Sequence, residues 1–278
     1  MTAAPERDPA RAADPERATA VGPAYFAAAV CRNCGAALDA PYCGQCGQKK
    51  AARLGWGELR RETWQQWRLF EMIAPRTLWR LASKPGLVAR EYVLGRRKDH
   101  MHPLKLLAVV VALLLLMLNA NQLFRHHQYS AREDAQVARM AELVQGYANW
   151  SFGLSLLAIF LASLLVFRRR LGYNAMEHAV LAVYCQIVII AAQLLSLSPT
   201  LAWTDPGFVA HYKSLSGQWM YAVKLLVVGL AFRQFFVLGM KRDWPRLLVA
   251  LALYAGISWL LLRAYAYAIL RIVQYQLS

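Results

Sequence analysis

The sequence predicts an all-α integral membrane protein: a five-span helical bundle with an N-terminal cytosolic four-cysteine zinc ribbon. Two observations predict this fold class. Of the 278 residues, 58% are hydrophobic, and the apolar runs reach the length of membrane spans. Four of the five cysteines lie close together near the N-terminus, far upstream of the first of these runs. The apolar runs indicate a membrane bundle, and the cysteines indicate a small metal-stabilised head.

Residues 1–28 are predicted to be a disordered N-terminal segment. The first part of this segment mixes Arg, Asp, Glu, Pro and Ala, and it has no signal-peptide pattern. The first long apolar run begins only after residue 100. The first span is therefore expected to serve as its own insertion signal.

The zinc ribbon is predicted over residues 29–50, which contain two C-x-x-C pairs. A glycine follows each pair, Gly35 or Gly47, and its backbone freedom suits the tight turn after the second ligand. Four thiolates close a tetrahedral site, so the metal would be one structural zinc ion rather than a catalytic one. Two disulfides or four free thiols are the alternatives, but disulfides need an oxidising compartment. The predicted ligands are Cys31, Cys34, Cys43 and Cys46.

Residues 51–102 are predicted to form an amphipathic interfacial linker. From Trp56 to Ile73, apolar residues recur at helical spacing, with arginines towards the edges of that face. Such a helix lies either on the membrane surface or against the protein's own bundle. A second short helix, Leu87 to Leu94, precedes a basic cluster. The residues predicted to contact lipid or a partner are Trp56, Arg60, Arg61, Trp67, Arg68, Phe70, Arg96, Arg97 and Lys98.

The transmembrane bundle is predicted over residues 103–278, from apolar runs of about 20 residues. Pro103 opens the first span as a helix N1 residue. Asn174 and Glu177 form a capping-box pattern at the start of the third. Lys224 and Arg233 interrupt the fourth. The five predicted spans are about 104–124, 150–167, 176–196, 218–238 and 246–267.

Basic residues predict the orientation of the bundle. The chain has 32 Lys and Arg against 16 Asp and Glu, a formal charge of +16. The positive-inside rule places residues 1–103, the turn Arg168–Arg170 and the turn at Lys241 in the cytosol, so five spans put the C-terminus outside. Reduced zinc-binding thiols also favour a cytosolic head. The basic charge requires no nucleic acid partner, because topology and attraction to anionic lipid explain it.

Several of these segments together resemble a known family. The knuckles Cys31–Gly35 and Tyr42–Gln48, the segment Arg90–Arg97 and the following Pro103 resemble the bacterial domain-of-unknown-function family numbered 3667. The resemblance covers about residues 31–110. It implies a zinc-ribbon-headed, multi-pass protein of the bacterial inner (plasma) membrane, and it implies no activity or substrate.

The sequence leaves two classes of non-enzymatic function open. The leading hypothesis is a non-enzymatic interaction or regulatory platform, in which the ribbon and the basic linker contact membrane lipid, anionic lipid in particular, or a cytosolic protein. The second is transport or lipid handling through the helical bundle. The residues predicted to form a polar pocket in the bundle are Gln186, Gln193, Lys224 and Arg233.

A third hypothesis is a membrane enzyme, and it depends on one cluster. Asp99, His100 and His102 lie beside the first span, where they either bind a metal or a lipid head group or are ordinary interfacial residues. The sequence has no Ser-His-Asp, H-E-x-x-H or P-loop pattern, so no catalytic residue is predicted. Ala252 and Gly256 form a weak small-residue face, which leaves a homo-oligomer open.

Overall fold

The computed structural model describes residues 20–65, 79–98, 100–129, 152–203 and 205–277. Within these ranges the regular structure is helical, and strands are absent apart from two isolated β-bridges. The all-α fold class is thereby confirmed. The helices are α1 (Pro23–Ala27), α2 (Trp56–Gln65), α3 (Pro85–Val93), α4 (Pro103–Tyr129), α5 (Phe152–Phe167), α6 (Ala175–Leu197), α7 (Pro199–Ala202), α8 (Pro206–Phe235) and α9 (Trp244–Leu277).

Four helical stretches in the described part of the chain are long and apolar enough to cross a membrane: Pro103–Ala120, Ala175–Ala202, Gly207–Phe235 and Trp244–Val273. The predicted count of five spans is not confirmed. The predicted span 150–167 corresponds to α5, whose 16 residues extend only about 24 Å at 1.5 Å per residue. That length is less than the roughly 30 Å of a bilayer's apolar core.

Two predicted spans have different ends in the structure. Helix α8 begins at Pro206 rather than 218, because Asp205 caps it through a 2.8 Å hydrogen bond from the Phe208 N–H and Pro206 suits the first turn. Helix α9 continues to Leu277 rather than ending at 267. Hydropathy alone marks only the most apolar part of such helices.

Helix α6 lies at the centre of the bundle and packs against α3, α4, α5 and α8. Its start has the predicted capping box: the Asn174 side chain accepts a 2.9 Å hydrogen bond from the Glu177 N–H, and the Glu177 carboxylate accepts a 2.7 Å bond from the Asn174 N–H. Helix α4 begins at Pro103, also as predicted.

Helix α3 is buried along its whole length, between α8 and α6. The sequence predicts the corresponding helix, Leu87 to Leu94, in an interfacial linker, whereas in the structure it is part of the bundle. Gly86 allows the close approach, because a Cβ at this position would lie 2.1 Å from the carbonyl oxygen of Ala231. The Gln234 side chain accepts a 3.0 Å hydrogen bond from the Gly86 N–H, which satisfies one of the open donors at the start of α3.

Several helix ends meet at one end of the bundle, next to the cysteine-bearing head. Arg170, after α5, donates to the carbonyls of Phe236 (2.8 Å) and Val237 (3.0 Å), just beyond α8. It also pairs with Asp243, just before α9, at 3.1 Å. These bonds satisfy carbonyls at the negative end of the α8 dipole. The ends of α5 and α8 and the start of α9 therefore lie together.

We expect Gly86→Ala to lower the free energy of unfolding by about 1–3 kcal/mol, because the added methyl group forces α3 away from the backbone of α8. Gly256→Ala in α9 is the matched control, since a Cβ there meets nothing within 4 Å. Thermal unfolding of the purified protein in detergent measures both. Equal stability of the two variants would contradict the close packing of α3 on α8.

Candidate metal centre and its junction with the bundle

The four cysteines of the predicted ribbon come together in the folded chain. Their sulfur atoms all lie within 4.8 Å of one another. The Cys31 and Cys46 sulfurs are 3.6 Å apart, and those of Cys34 and Cys43 are 3.5 Å apart. A tetrahedral site with metal–sulfur bonds of about 2.3 Å requires sulfur separations of about 3.8 Å. The cluster could therefore hold one metal ion.

The two knuckles repeat the same backbone pattern twelve residues apart. In the first, the Gly35 N–H bonds to the Cys31 carbonyl at 2.9 Å, and in the second the Gly47 N–H bonds to the Cys43 carbonyl at 2.8 Å. Gly35 and Gly47 have φ values of 80° and 71°, the left-handed conformation that glycine adopts without strain. The turn geometry predicted from these glycines is confirmed.

Metal binding to the cluster would be coupled to the release of thiol protons. The backbone N–H of Cys46 bonds to the Cys43 sulfur and lowers the pKa of Cys43 to about 7. Burial raises the pKa of Cys34 to about 12 and that of Cys31 above its usual value. Without a metal, four thiolates would not coexist at neutral pH. A divalent ion displaces the protons, so metal binding would weaken as the pH falls.

The side chain of Gln48 joins the second knuckle to the loop between α3 and α4. Its Nε2 donates to the Gly95 carbonyl at 2.7 Å, and its Oε1 accepts from the backbone N–H groups of Arg97 and Lys98, each at 3.1 Å. The Lys98 ammonium donates to the Cys46 carbonyl. The metal-binding knuckle is thus hydrogen-bonded directly to the bundle.

The segments on either side of the zinc ribbon, which we count with it as the head, also contact the bundle. Arg53 pairs with the buried Glu177 of α6 at 3.2 Å and donates to the Gly172 carbonyl at 2.6 Å. The Asn174 side chain donates to the Leu54 carbonyl at 2.9 Å. Residues 20–28, which were expected to lie in a disordered segment, include α1, and the Val21 N–H bonds to the Leu171 carbonyl at 2.8 Å. The remaining residues 1–19 lie outside the described ranges.

The basic cluster Arg96–Lys98 has two different environments. Arg97 is 4% exposed, and its guanidinium donates to the Ala52 carbonyl at 2.7 Å. It therefore does not face lipid, in contrast to its predicted role, because the head covers it. Arg96 is half-buried, and Lys98 is exposed while its ammonium bonds to the knuckle.

The predicted apolar face of α2 carries side chains of very different exposure. Trp56 is 69% exposed, whereas Leu59 is 4% exposed and belongs to the main core. Arg60 is exposed. The remaining predicted contacts lie outside the described residues or have side chains outside them: Arg61, Trp67, Arg68 and Phe70.

The histidine cluster forms structural contacts. His100 bonds through Nε2 to the buried carboxylate of Glu91 at 2.7 Å, and Arg80 binds the same carboxylate at 3.0 Å. Burial by itself raises the pKa of Glu91, but the His100 hydrogen bond and the Arg80 charge lower it below its usual value. Burial lowers the pKa of His102 to about 4, so its neutral ring accepts a 3.3 Å bond from the Leu104 N–H at the start of α4. Asp99 lies outside the described residues.

The predicted pocket residues of the bundle have unequal exposure. Gln186 is buried in α6, while Gln193 and Lys224 are partly buried. Arg233 is exposed and lines a surface cavity of about 280 Å³ that Lys84 also lines. This cavity lies beside the start of α3.

The sequence patterns did not assign a role to several residues that build the junction. Gln48 follows a knuckle and reads as an ordinary polar residue. Arg90 is fully buried and donates a 3.0 Å hydrogen bond to the Phe235 carbonyl at the end of α8. The one available signal for Arg90 and Glu91 is their place inside the motif Arg90–Arg97.

The match to a known protein family falls on the segment that contains α3, the loop between α3 and α4, and the first half of α4. Residues 75–115 match a family of unknown function. The description of the matching model is "Protein of unknown function (DUF3667)". The resemblance inferred from the motifs is thereby confirmed for this segment, whereas the cysteines lie outside the match. No curated protein and no solved structure matches the chain.

We expect Cys43→Ser combined with Cys46→Ser to reduce the metal content of the purified protein from about one ion per chain to near zero, because two thiolates cannot close a tetrahedral site. Cys185→Ser is the control, since Cys185 is buried in α6 and lies outside the cluster. Elemental analysis measures the metal content. Full retention of metal in the double variant would refute the assignment of these ligands.

Proposed function

We propose that this protein is a non-enzymatic, membrane-anchored interaction platform whose head is stabilised by one structural zinc ion. Four thiolates at tetrahedral spacing suit zinc or an iron–sulfur cluster. Zinc is favoured because the residues between the two pairs form only a short connection that a single ion can close. Elemental analysis of the wild-type protein distinguishes zinc from iron.

The exposed face of α2 carries the proposal. Leu59 anchors this helix to the core, while the side chains of Trp56 and Arg60 remain exposed. A tryptophan beside an arginine suits either the interfacial region of a bilayer or a protein partner. The junction at Gln48 and Arg53 holds the head in one orientation, so the exposed face has a fixed position relative to the bundle. Its proposed contacts are anionic lipid and a cytosolic protein.

The proposed location is the bacterial inner membrane, with the N-terminus in the cytosol and residue 278 outside. The clustering of the α5 end, the α8 end and the α9 start next to the head supports α5 as a fifth, short crossing. Reporter fusions are expected to be cytosolic at residues 50 and 171 and external at residues 208 and 278. A cytosolic reporter at 208 would refute this topology.

A photo-crosslinking amino acid tests the platform directly in the full-length protein in its native membrane. At position 56, in place of Trp56, it is expected to form adducts with anionic lipid or with another protein. At position 59, in place of the buried Leu59, it is expected to form adducts only within the chain. Both positions lie on α2, one turn apart.

Arg60→Gln is expected to reduce the intermolecular adducts from position 56, because it removes the neighbouring charge. If both positions give only intramolecular adducts, the face of α2 is covered by the protein itself, and the proposed function is wrong.

A further inference from the structure

Two neighbouring cavities lie where α5 ends and α9 begins, and Arg170 and Arg246 line both of them. Their volumes are about 320 Å³ and about 600 Å³. We call this continuous concave surface the arginine cavity. Its basic and acidic lining residues are Arg169, Arg170, Arg242, Asp243 and Arg246.

The side chains at the floor of the arginine cavity already form hydrogen bonds and an ion pair with each other and with the backbone. Arg170 binds two backbone carbonyls and the Asp243 carboxylate, which also accepts a 3.1 Å hydrogen bond from the Gly239 N–H. Arg246 lies 3.8 Å from the same carboxylate, and its side chain is 66% exposed. One carboxylate therefore faces two arginines, and most of its hydrogen-bonding capacity is used.

The rim of the cavity carries two further cations. Arg169 and Arg242 are both exposed. Within the described residues, neither side chain forms a hydrogen bond or an ion pair. With four arginines and one carboxylate, the cavity has a local excess of positive charge. Guanidinium groups bind phosphate oxygens through paired N–H donors, so a phosphate group matches this lining.

The position of the cavity favours a lipid phosphate over a soluble one. Its wall includes Val166 and Phe167, the last residues of the apolar helix α5. Trp244, 53% exposed, begins the adjacent membrane-like helix α9. Exposed tryptophans at such positions are typical of the head-group level of a bilayer. A phospholipid would place its phosphate against the arginines and the start of an acyl chain against the partly buried Val166.

We propose that the arginine cavity binds the phosphate group of an anionic glycerophospholipid. Arg169, Arg242 and Arg246 contact the phosphate oxygens, and the Arg170–Asp243 pair holds the floor in place. This surface is separate from the α2 face and does not depend on the function proposed for that face. Basic pockets between membrane helices at the cytoplasmic surface bind anionic head groups by the same chemistry.

Native mass spectrometry of the full-length protein in detergent, with phosphatidylglycerol or phosphatidylcholine added, tests the proposal. We expect the wild type to bind phosphatidylglycerol in preference to phosphatidylcholine. Arg169→Gln combined with Arg242→Gln should weaken phosphatidylglycerol binding roughly 25-fold, because each basic residue near an anionic lipid contributes about fivefold. The side chains of these two arginines form no hydrogen bond or ion pair with the described residues, so we expect their replacement to leave the fold intact.

The matched control is Arg263→Gln combined with Arg271→Gln, which removes the same charge further along α9, where each arginine lies over an aromatic ring. The control variant should bind phosphatidylglycerol like the wild type. Equal loss in both double variants, or no preference between the two lipids, would overturn the proposal. Displacement of phosphatidylglycerol by millimolar inorganic phosphate or glycerol phosphate would overturn the lipid assignment in favour of a soluble phosphate.

Discussion

The buried side-chain amide of Gln48 forms hydrogen bonds with both of its polar atoms, and the position of the cysteine-bearing head depends on them. The amide bridges the second knuckle and the loop from Gly95 to Lys98. A buried amide or carbonyl group left without a hydrogen bond would cost about 1–3 kcal/mol. These bonds therefore favour a single position of the knuckle relative to the loop. Gly95, at a φ of 95°, permits this contact because a Cβ there would lie 2.6 Å from the Cβ of Ala51. The head is a packed part of the molecule.

The same contacts connect metal binding to the bundle. The buried apolar core of the ribbon consists of Cys31, Leu38 and Cys43, which is too small to fold the segment by itself. A metal ion can supply on the order of 10 kcal/mol to such a head. The Gln48 carbonyl accepts a 2.9 Å hydrogen bond from the Cys43 N–H, so the geometry around the metal also positions the Gln48 side chain. A loaded head should therefore stabilise the junction.

The sequence was informative where local interactions decide the structure. The turns at Gly35 and Gly47 and the apolar spans follow from spacing and hydropathy over a few residues. The burial of α3 could not be predicted in this way, because Arg90 resembles a surface residue. Its partners, the Tyr173 hydroxyl and the Phe235 carbonyl, lie 83 and 145 residues away in the chain. Such pairings become visible only when the helices are packed.

Hydrogen–deuterium exchange of the full-length, metal-loaded protein tests the docking of the head most directly. Gln48→Ala should retain the metal, because Ala36 occupies the equivalent place in the first knuckle. It should speed exchange of the amides of residues 94–98 roughly 5- to 150-fold, as expected for a loss of about 1–3 kcal/mol. Gln45→Ala, at an exposed position of the same knuckle, should leave them unchanged. Equal exchange in the two variants would contradict a docked head.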